Sequence, residues 1–404
     1  VQQALYANLM RKELLKYKIE RLIDYSLYPV QLFKDAVNYP LLLIVKKTVT
    51  PATDLVRIDV INHSGRRRSW FISKSEISLN ENDPESPWMI APPEVIKCFR
   101  KMQRAGKRLG DIVEAVRGAI TAANDIYFVK EFTCTTNPDV LLVVTEGGQR
   151  VRIEKRMIRP LLRGRDISEW RFEINSWIIW THDDEGNVLE KLPPEAMKYF
   201  EQHKAFLESR REYTISRPIN SGAPYWIIGN IDSRKLREKV AWREIATKIE
   251  AVVIEAEYND PRLGVVKIIP DHKVYFLPVG DESVCHALCA LLNSTPCRAF
   301  VMSFAERLRG ANFDHLSWVI GMIPIPRFIA SLIISGELPK GRHRELFDKL
   351  VKISKELHEA ARTGVIDRSR LEELDRLVAE AYELTEEELK TIKDYFDFVY
   401  VGSD

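Results

Sequence analysis

Long apolar runs are missing from this chain. The longest candidates, residues 41–45 and 319–325, are the size of a buried strand and far short of a membrane span. No charged-then-apolar segment opens the sequence, so no secretory signal is expected. Cysteines are scarce, five in 404 residues, odd in number and never in a Cys-x-x-Cys pair. That argues against a disulfide framework and fits a reducing, cytoplasmic location. Cys285 and Cys289 share a helical face with His286 beside them. A structural metal site needs four ligands, so plain buried thiols and no metal are expected. Net charge is nearly absent too, at +2, and the chain as a whole does not announce a nucleic-acid partner.

What is present is charge of one sign in local stripes. Lys97, Arg100, Lys101, Arg104, Lys107 and Arg108 follow one another with no acid between them. Arg150, Arg152, Lys155, Arg156, Arg159, Arg163, Arg165 and Arg171 face only Glu154, Asp166 and Glu169. The tail compensates, with twelve Lys/Arg against sixteen Asp/Glu over residues 340–404. Basic stripes beside an acidic tail predict a face for an anionic ligand on an otherwise balanced protein, although a charge run can also be plain solvated surface.

The order of elements predicts a mixed α/β fold. Apolar residues at helical spacing from Ala4 to Leu15 predict an amphipathic helix. A short strand at 19–25, a connector at 29–36 and a buried strand at 39–46 follow. Residues 54–62 alternate as that strand's continuation or partner. Helix, strand, loop and strand in this order fit the end of a Rossmann-like, doubly wound sheet over 1–62. Gly65-Arg66-Arg67-Arg68, Pro84, Pro87 and Pro92-Pro93 make 63–94 the linker candidate. Residues 95–330 alternate short strands and helical patches, as an α+β domain does. Residues 331–404 read as a helical tail packed on that domain, with a capping-box start at Thr385-Glu386-Glu387-Glu388.

Several motifs are collinear with a known pattern. Leu109-Gly110-Asp111-Ile112, Val116-Arg117-Gly118-Ala119-Ile120-Thr121 and Asn124-Asp125-Ile126-Tyr127-Phe128-Val129 come first. Arg159 to Asp166, Leu291-Leu292-Asn293-Ser294 and Ile323-Pro324-Ile325-Pro326 follow. In this order they resemble the target-recognition domain of the amino-methylating adenine DNA methyltransferases, the TaqI-like and Eco57I-like type II restriction–modification enzymes. Residues 1–62 resemble the closing segment of their catalytic domain. The front of that domain is not found in this sequence. It holds no Gly-x-Gly, and its only Pro-Pro pairs are Ala91-Pro92-Pro93-Glu94 and Leu192-Pro193-Pro194-Glu195. Neither fits the family's Asn/Asp-Pro-Pro-aromatic tetrapeptide. The expectation is a chain that carries no catalytic residue and binds no cofactor alone, with S-adenosylmethionine belonging to the complete enzyme.

The resemblance implies duplex DNA as partner, no membrane, and a separate or upstream catalytic domain. It implies that Phe33 stacks on a target adenine swung out of the helix, where an aromatic face replaces lost stacking; packing under the strand is the alternative. Gly118 would allow a left-handed turn, and Thr121 and Asn124 would donate to phosphates or cap the loop. Ala122-Ala123 stand where the family has a second glycine, so the loop backbone is open to question. Arg163 and Arg165 are candidates for forking onto phosphate or guanine, with Asp166 holding a guanidinium. Lys101, Arg104, Lys107 and Arg117 are further DNA contacts, as are Arg217 and Tyr225, beside a Pro-Tyr-Trp patch whose order departs from the family's. Arg307, Arg309 and Asn312 complete the set, in a polar loop.

Two rivals come from other classes: a stand-alone specificity subunit pairing with a methylase chain, and a fragment of a combined restriction endonuclease–methyltransferase. For the second, Asp260 and Asp271-His272-Lys273 imitate a metal-dependent nuclease motif, though Asp260 precedes a proline.

Overall fold

The computed structural model describes residues 7–28, 40–81, 83–308 and 312–400. It is a mixed α/β fold of several sheets with a helical C-terminal end. Among these residues no helix is long and apolar enough to cross a membrane.

Helix α1 (Asn8–Leu14) leads into a four-stranded sheet of β1 (Tyr17–Asp24), β2 (Leu41–Val49), β3 (Leu55–Ile61) and β4 (Arg67–Ser73), in the order β2-β1-β3-β4. β1 pairs antiparallel with β2 and parallel with β3, and β3 pairs antiparallel with β4. Contrary to the expected buried strand, β2 is an edge strand whose residues alternate between half-buried and exposed. The 55–61 strand is the partner of β1 rather than of β2. Leu22, Val56, Ile58, Val60 and Ile72 form the inner face, fully buried.

The linker expected at 63–94 is instead folded and packed. β4 occupies its first part, and Ile77, Leu79, Trp88, Met89, Ile90 and Ala91 are buried. Lys74 is buried with its ammonium donating to the carbonyls of Leu15 (2.9 Å) and Thr50 (2.9 Å) and to the Thr50 hydroxyl (2.7 Å). The prolines and Gly65 mark turns between packed segments, which composition cannot distinguish from a flexible tether. One hydrophobic cluster consequently runs from Ile19 to Val399 and includes both the first sheet and the tail helices Arg342–Thr363, Arg368–Ala381 and Glu386–Val399.

Helix α2 (Pro93–Ala105) starts on proline, which has no N–H to lose there and brings a helical φ. Val95, Ile96, Phe99 and Met102 are buried on its inward face. Its basic stripe does not stay together, because successive residues turn about 100° apart. Arg100 is buried and donates to the carbonyls of Leu79 (2.6 Å) and Ser78. Lys101 pairs with Glu388 of the last helix at 2.8 Å.

Two sheets follow. A six-stranded one runs in the order 269–270, 158–162, 177–179, 128–134, 140–145, 150–154; a four-stranded one runs 251–254, 239–243, 274–277, 116–117. The chain passes between these sheets four times, and two of the passages, 117–127 and 270–273, lie side by side, bridged at Ala119 and Asp271. Helix Glu282–Asn293 buries Cys285, Cys289 and His286. His358 accepts from Val253 N–H at 3.1 Å and donates to the Ser354 carbonyl at 2.7 Å, so it ties helix to sheet.

Candidate nucleic-acid interface

The loop 117–126 is held far more tightly than a connection requires. Gly118 N–H donates to Val274 (3.0 Å), Ala119 N–H to Pro270 (2.8 Å), and Ile120 exchanges two bonds with Gly229 (3.1 and 2.8 Å). Asn230 donates through its side chain to the carbonyls of Arg117 (2.8 Å) and Gly118 (3.1 Å), while its own side-chain oxygen accepts from Lys235 (2.6 Å). Arg210 is buried and donates to the carbonyls of Thr121 (2.6 Å), Tyr225 (2.6 Å) and Leu207 (2.9 Å). Its guanidinium lies over the Tyr127 ring, whose hydroxyl donates to Trp226 at 2.9 Å. Arg210, Asn230 and Lys235 are the supports that sequence reasoning missed. Arg210 and Asn230 reach backbone carbonyls of distant segments and Lys235 holds Asn230 in place, contacts that leave no mark in a sequence.

Gly118 does not take a left-handed turn. It is glycine because a Cβ there would press into the carbonyls of Pro270 and Asp271. The left-handed residue is Ala122, at φ 49°. The backbone thus takes at Ala122 a conformation that glycine favours.

Thr121 is buried and its hydroxyl donates to Asn124 Oδ1 at 2.6 Å while accepting from Ala123 N–H at 3.2 Å. It is a loop cap, leaving the Asn124 amide nitrogen uncommitted. The loop forms one wall of a groove of about 760 Å³, completed by His203, Phe206, Glu212 and His272.

The 163–166 turn meets the same crossing. Gly164 lies against the backbone of Lys273 and the side chain of Arg243. Arg163 is bound to Glu146 at 2.8 Å and to Asp271 at 3.8 Å, above the Phe128 ring. Burial raises the Asp271 pKa; the Lys273 N–H, His272 and Arg163 oppose that rise. Arg165 differs: it is 66% exposed and touches only Asp166, at 4.0 Å. Arg117 donates to the His272 carbonyl at 3.0 Å and faces Glu244 at 3.6 Å. Burial, with Glu244 and Glu306 close by, raises the Asp314 pKa to about 6.

The other expected contacts scatter. Arg217 reaches the Tyr213 hydroxyl at 2.7 Å, and Tyr225 lies under Lys204 and against Trp226. Arg104 and Lys107 are exposed, but neither lines the groove. Arg307 is buried and paired with Asp24 (3.1 Å) and Ser26 (2.6 Å), so its role is to join the first sheet to strand Arg307–Leu308. Asn312 pairs with Leu308. Phe33 and Arg309 lie outside the described residues.

The nuclease-like carboxylates are used structurally. Asp260 caps the N–H groups of Arg262 (2.8 Å) and Leu263 (3.0 Å), and Asp271 caps Lys273 (2.6 Å). Among the described residues no group of three side chains is placed to hold a metal ion.

No family model matches the sequence. The Type II methyltransferase M.BstVI of Geobacillus stearothermophilus is 22% identical over 325 residues, covering 77% of this chain and 46% of that protein. The structure of the type IIG restriction endonuclease BpuSI aligns over 98% of this chain and 45% of its own, with 11% identity and a TM-score of 0.43. The chain is therefore related in sequence to a restriction–modification methyltransferase, and it spans about half the length of that curated relative.

Proposed function

We propose that this chain is the target-recognition part of a site-specific adenine-N6 DNA methyltransferase, gripping duplex DNA along the groove beside the 117–126 loop. The observation that carries the reading is the loop itself. Its backbone is fixed from three directions, yet it offers Asn124 to a groove, and the 163–166 turn that meets the neighbouring crossing carries the exposed Arg165, whose one contact is Asp166. Rigid presentation of a few donors is what reading a base edge or phosphate demands. Phe33 as the residue stacking on the flipped adenine belongs to the same reading.

S-adenosylmethionine belongs to the complete enzyme in this reading. Among the described residues no strand runs through a glycine-rich turn into a helix, the arrangement that cradles such a cofactor.

The test is fluorescence anisotropy with duplex DNA across a salt series. Affinity should fall steeply between about 50 and 200 mM salt, because each phosphate contact releases counterions. Calorimetric titration of the same chain with S-adenosylmethionine should show no heat of binding. A flat salt response would sink the DNA reading, and micromolar cofactor binding would sink the division of labour.

A further inference from the structure

The outer face of the four-stranded sheet is not built like a solvated one. Register places Ile44, Arg21, Arg57 and Phe71 in one row across β2, β1, β3 and β4, and Leu42, Ile23, Asp59 and Ser69 in the next. Directly paired residues point to the same side, so all eight share this face. At its centre Asp59 is fully buried. It accepts from Arg21 Nε at 2.5 Å, Arg67 Nη2 at 2.6 Å and the Ser69 hydroxyl, with Arg57 at 3.4 Å. Burial alone would push this carboxyl up; the bonds from Ser69, Arg21 and Arg67 outweigh it and hold it well below the usual range.

Asp59 therefore stays ionised and neutralises one of three guanidiniums. The remainder, a net two positive charges, is fixed on a flat surface with little side-chain entropy left to lose. Around it Leu42 and Phe71 are 50% and 58% exposed, and Ile44 and Leu55 are exposed as well. Apolar and aromatic side chains interleaved with arginine is the composition of a protein–protein contact. In addition, β1 and β3 are a parallel pair at the centre of the sheet, with β2 and β4 antiparallel at its edges. Among the described residues only the inner face is packed, while Leu42, Ile44, Leu55 and Phe71 on the outer face stay exposed.

We propose that this face is the docking surface of an amphipathic helix. Its apolar stripe covers Leu42, Ile44, Ile23 and Phe71, and its flanking carboxylates engage Arg57 and Arg67. Duplex DNA fits less well, since phosphates gain nothing from the apolar rows. A second copy fits poorly, since two such faces would oppose their uncompensated guanidiniums. The proposal does not depend on the DNA-binding reading, and the two fail separately.

The experiment uses three helical peptides of about 20 residues, long enough to hold a helix. They share one Leu/Ala stripe, flanked by Glu, Gln or Lys. Anisotropy should show the Glu peptide binding at least about tenfold more tightly than the Lys peptide. Arg57→Glu, which takes the net charge of this face from two to zero, should abolish that preference, and Phe71→Ser should weaken all three; both side chains are solvent-exposed, so an unchanged Tm checks the fold. Binding blind to peptide charge, or no binding at all, would overturn the proposal. So would loss of duplex DNA affinity in Arg57→Glu, or self-association abolished by Phe71→Ser.

Discussion

Arg163 and Arg165 stand two positions apart and do different work. Arg163 is committed to Glu146 and Asp271, so Arg163→Ala leaves two carboxylates, one buried, without their cation. That variant should lose about 1–3 kcal/mol in urea unfolding. Arg165→Ala should leave stability unchanged and weaken DNA binding by about 1–3 kcal/mol if the guanidinium reads a base. Unchanged affinity in Arg165→Ala would remove it from the interface. Ala122 makes a second residue-scale case. A left-handed conformation strains a residue with a Cβ by about 1–2 kcal/mol, while glycine loses about 0.5–1 kcal/mol of chain entropy. Ala122→Gly should therefore be neutral to mildly stabilising, and Ala122→Val, branched at Cβ, destabilising by more than about 1 kcal/mol. Equal midpoints for the two variants would contradict the φ of 49°.

Elements are legible where their period is strong. β1, the helix Glu282–Asn293 and the capping box of the last helix can all be read from residue spacing, because burial on one face imposes that spacing. The capping box is present in full, with Thr385 and Glu388 bonded reciprocally at 3.2 and 2.7 Å. What spacing does not show is what meets a charged face. Lys101 has the sequence surroundings of a DNA contact, yet its partner is an acid 287 residues away. Arg307 has those of a loop cation and is buried against Asp24. Gly118 is legible as necessary, but not for the right reason, since close approach of another segment is invisible in one sequence. Gly118→Ala drives a methyl into two backbone carbonyls of the neighbouring crossing, which cannot withdraw without breaking its own bonds. A loss of about 1–3 kcal/mol is expected, with DNA affinity falling as well. A variant with native midpoint would show the two crossings are less tightly apposed than described.

For the whole molecule, the continuous core replaces the expected division at 63–94, and it carries a pH dependence. Burial lowers the pKa of His182, His286 and His358 to about 4 and that of His315 to about 3. A histidine with a depressed folded pKa costs nothing above its unfolded value near 6.5. Below that value the unfolded chain takes up the proton first, so stability is lost as pH falls from about 6.5 towards 4. Each histidine contributes a slope of up to about 1.4 kcal/mol per pH unit. His315 has neither ring nitrogen hydrogen-bonded, so His315→Leu should raise stability at pH 7 and flatten the acid limb. A Tm independent of pH between 7 and 4.5 would show that these histidines do not govern acid stability.

The paired crossings also set an order of events. Arg117 reaches His272 across 155 residues of chain, so the groove cannot exist until both sheets are largely in place. Contacts of such separation are closed late, after the entropy of a long loop has been overcome. On a ribosome the 117–126 loop would emerge and wait, unstructured at its exposed edge, until residues beyond 277 had been made. Damage at Gly118 should accordingly quicken unfolding in a double-jump experiment and leave the refolding rate nearly untouched.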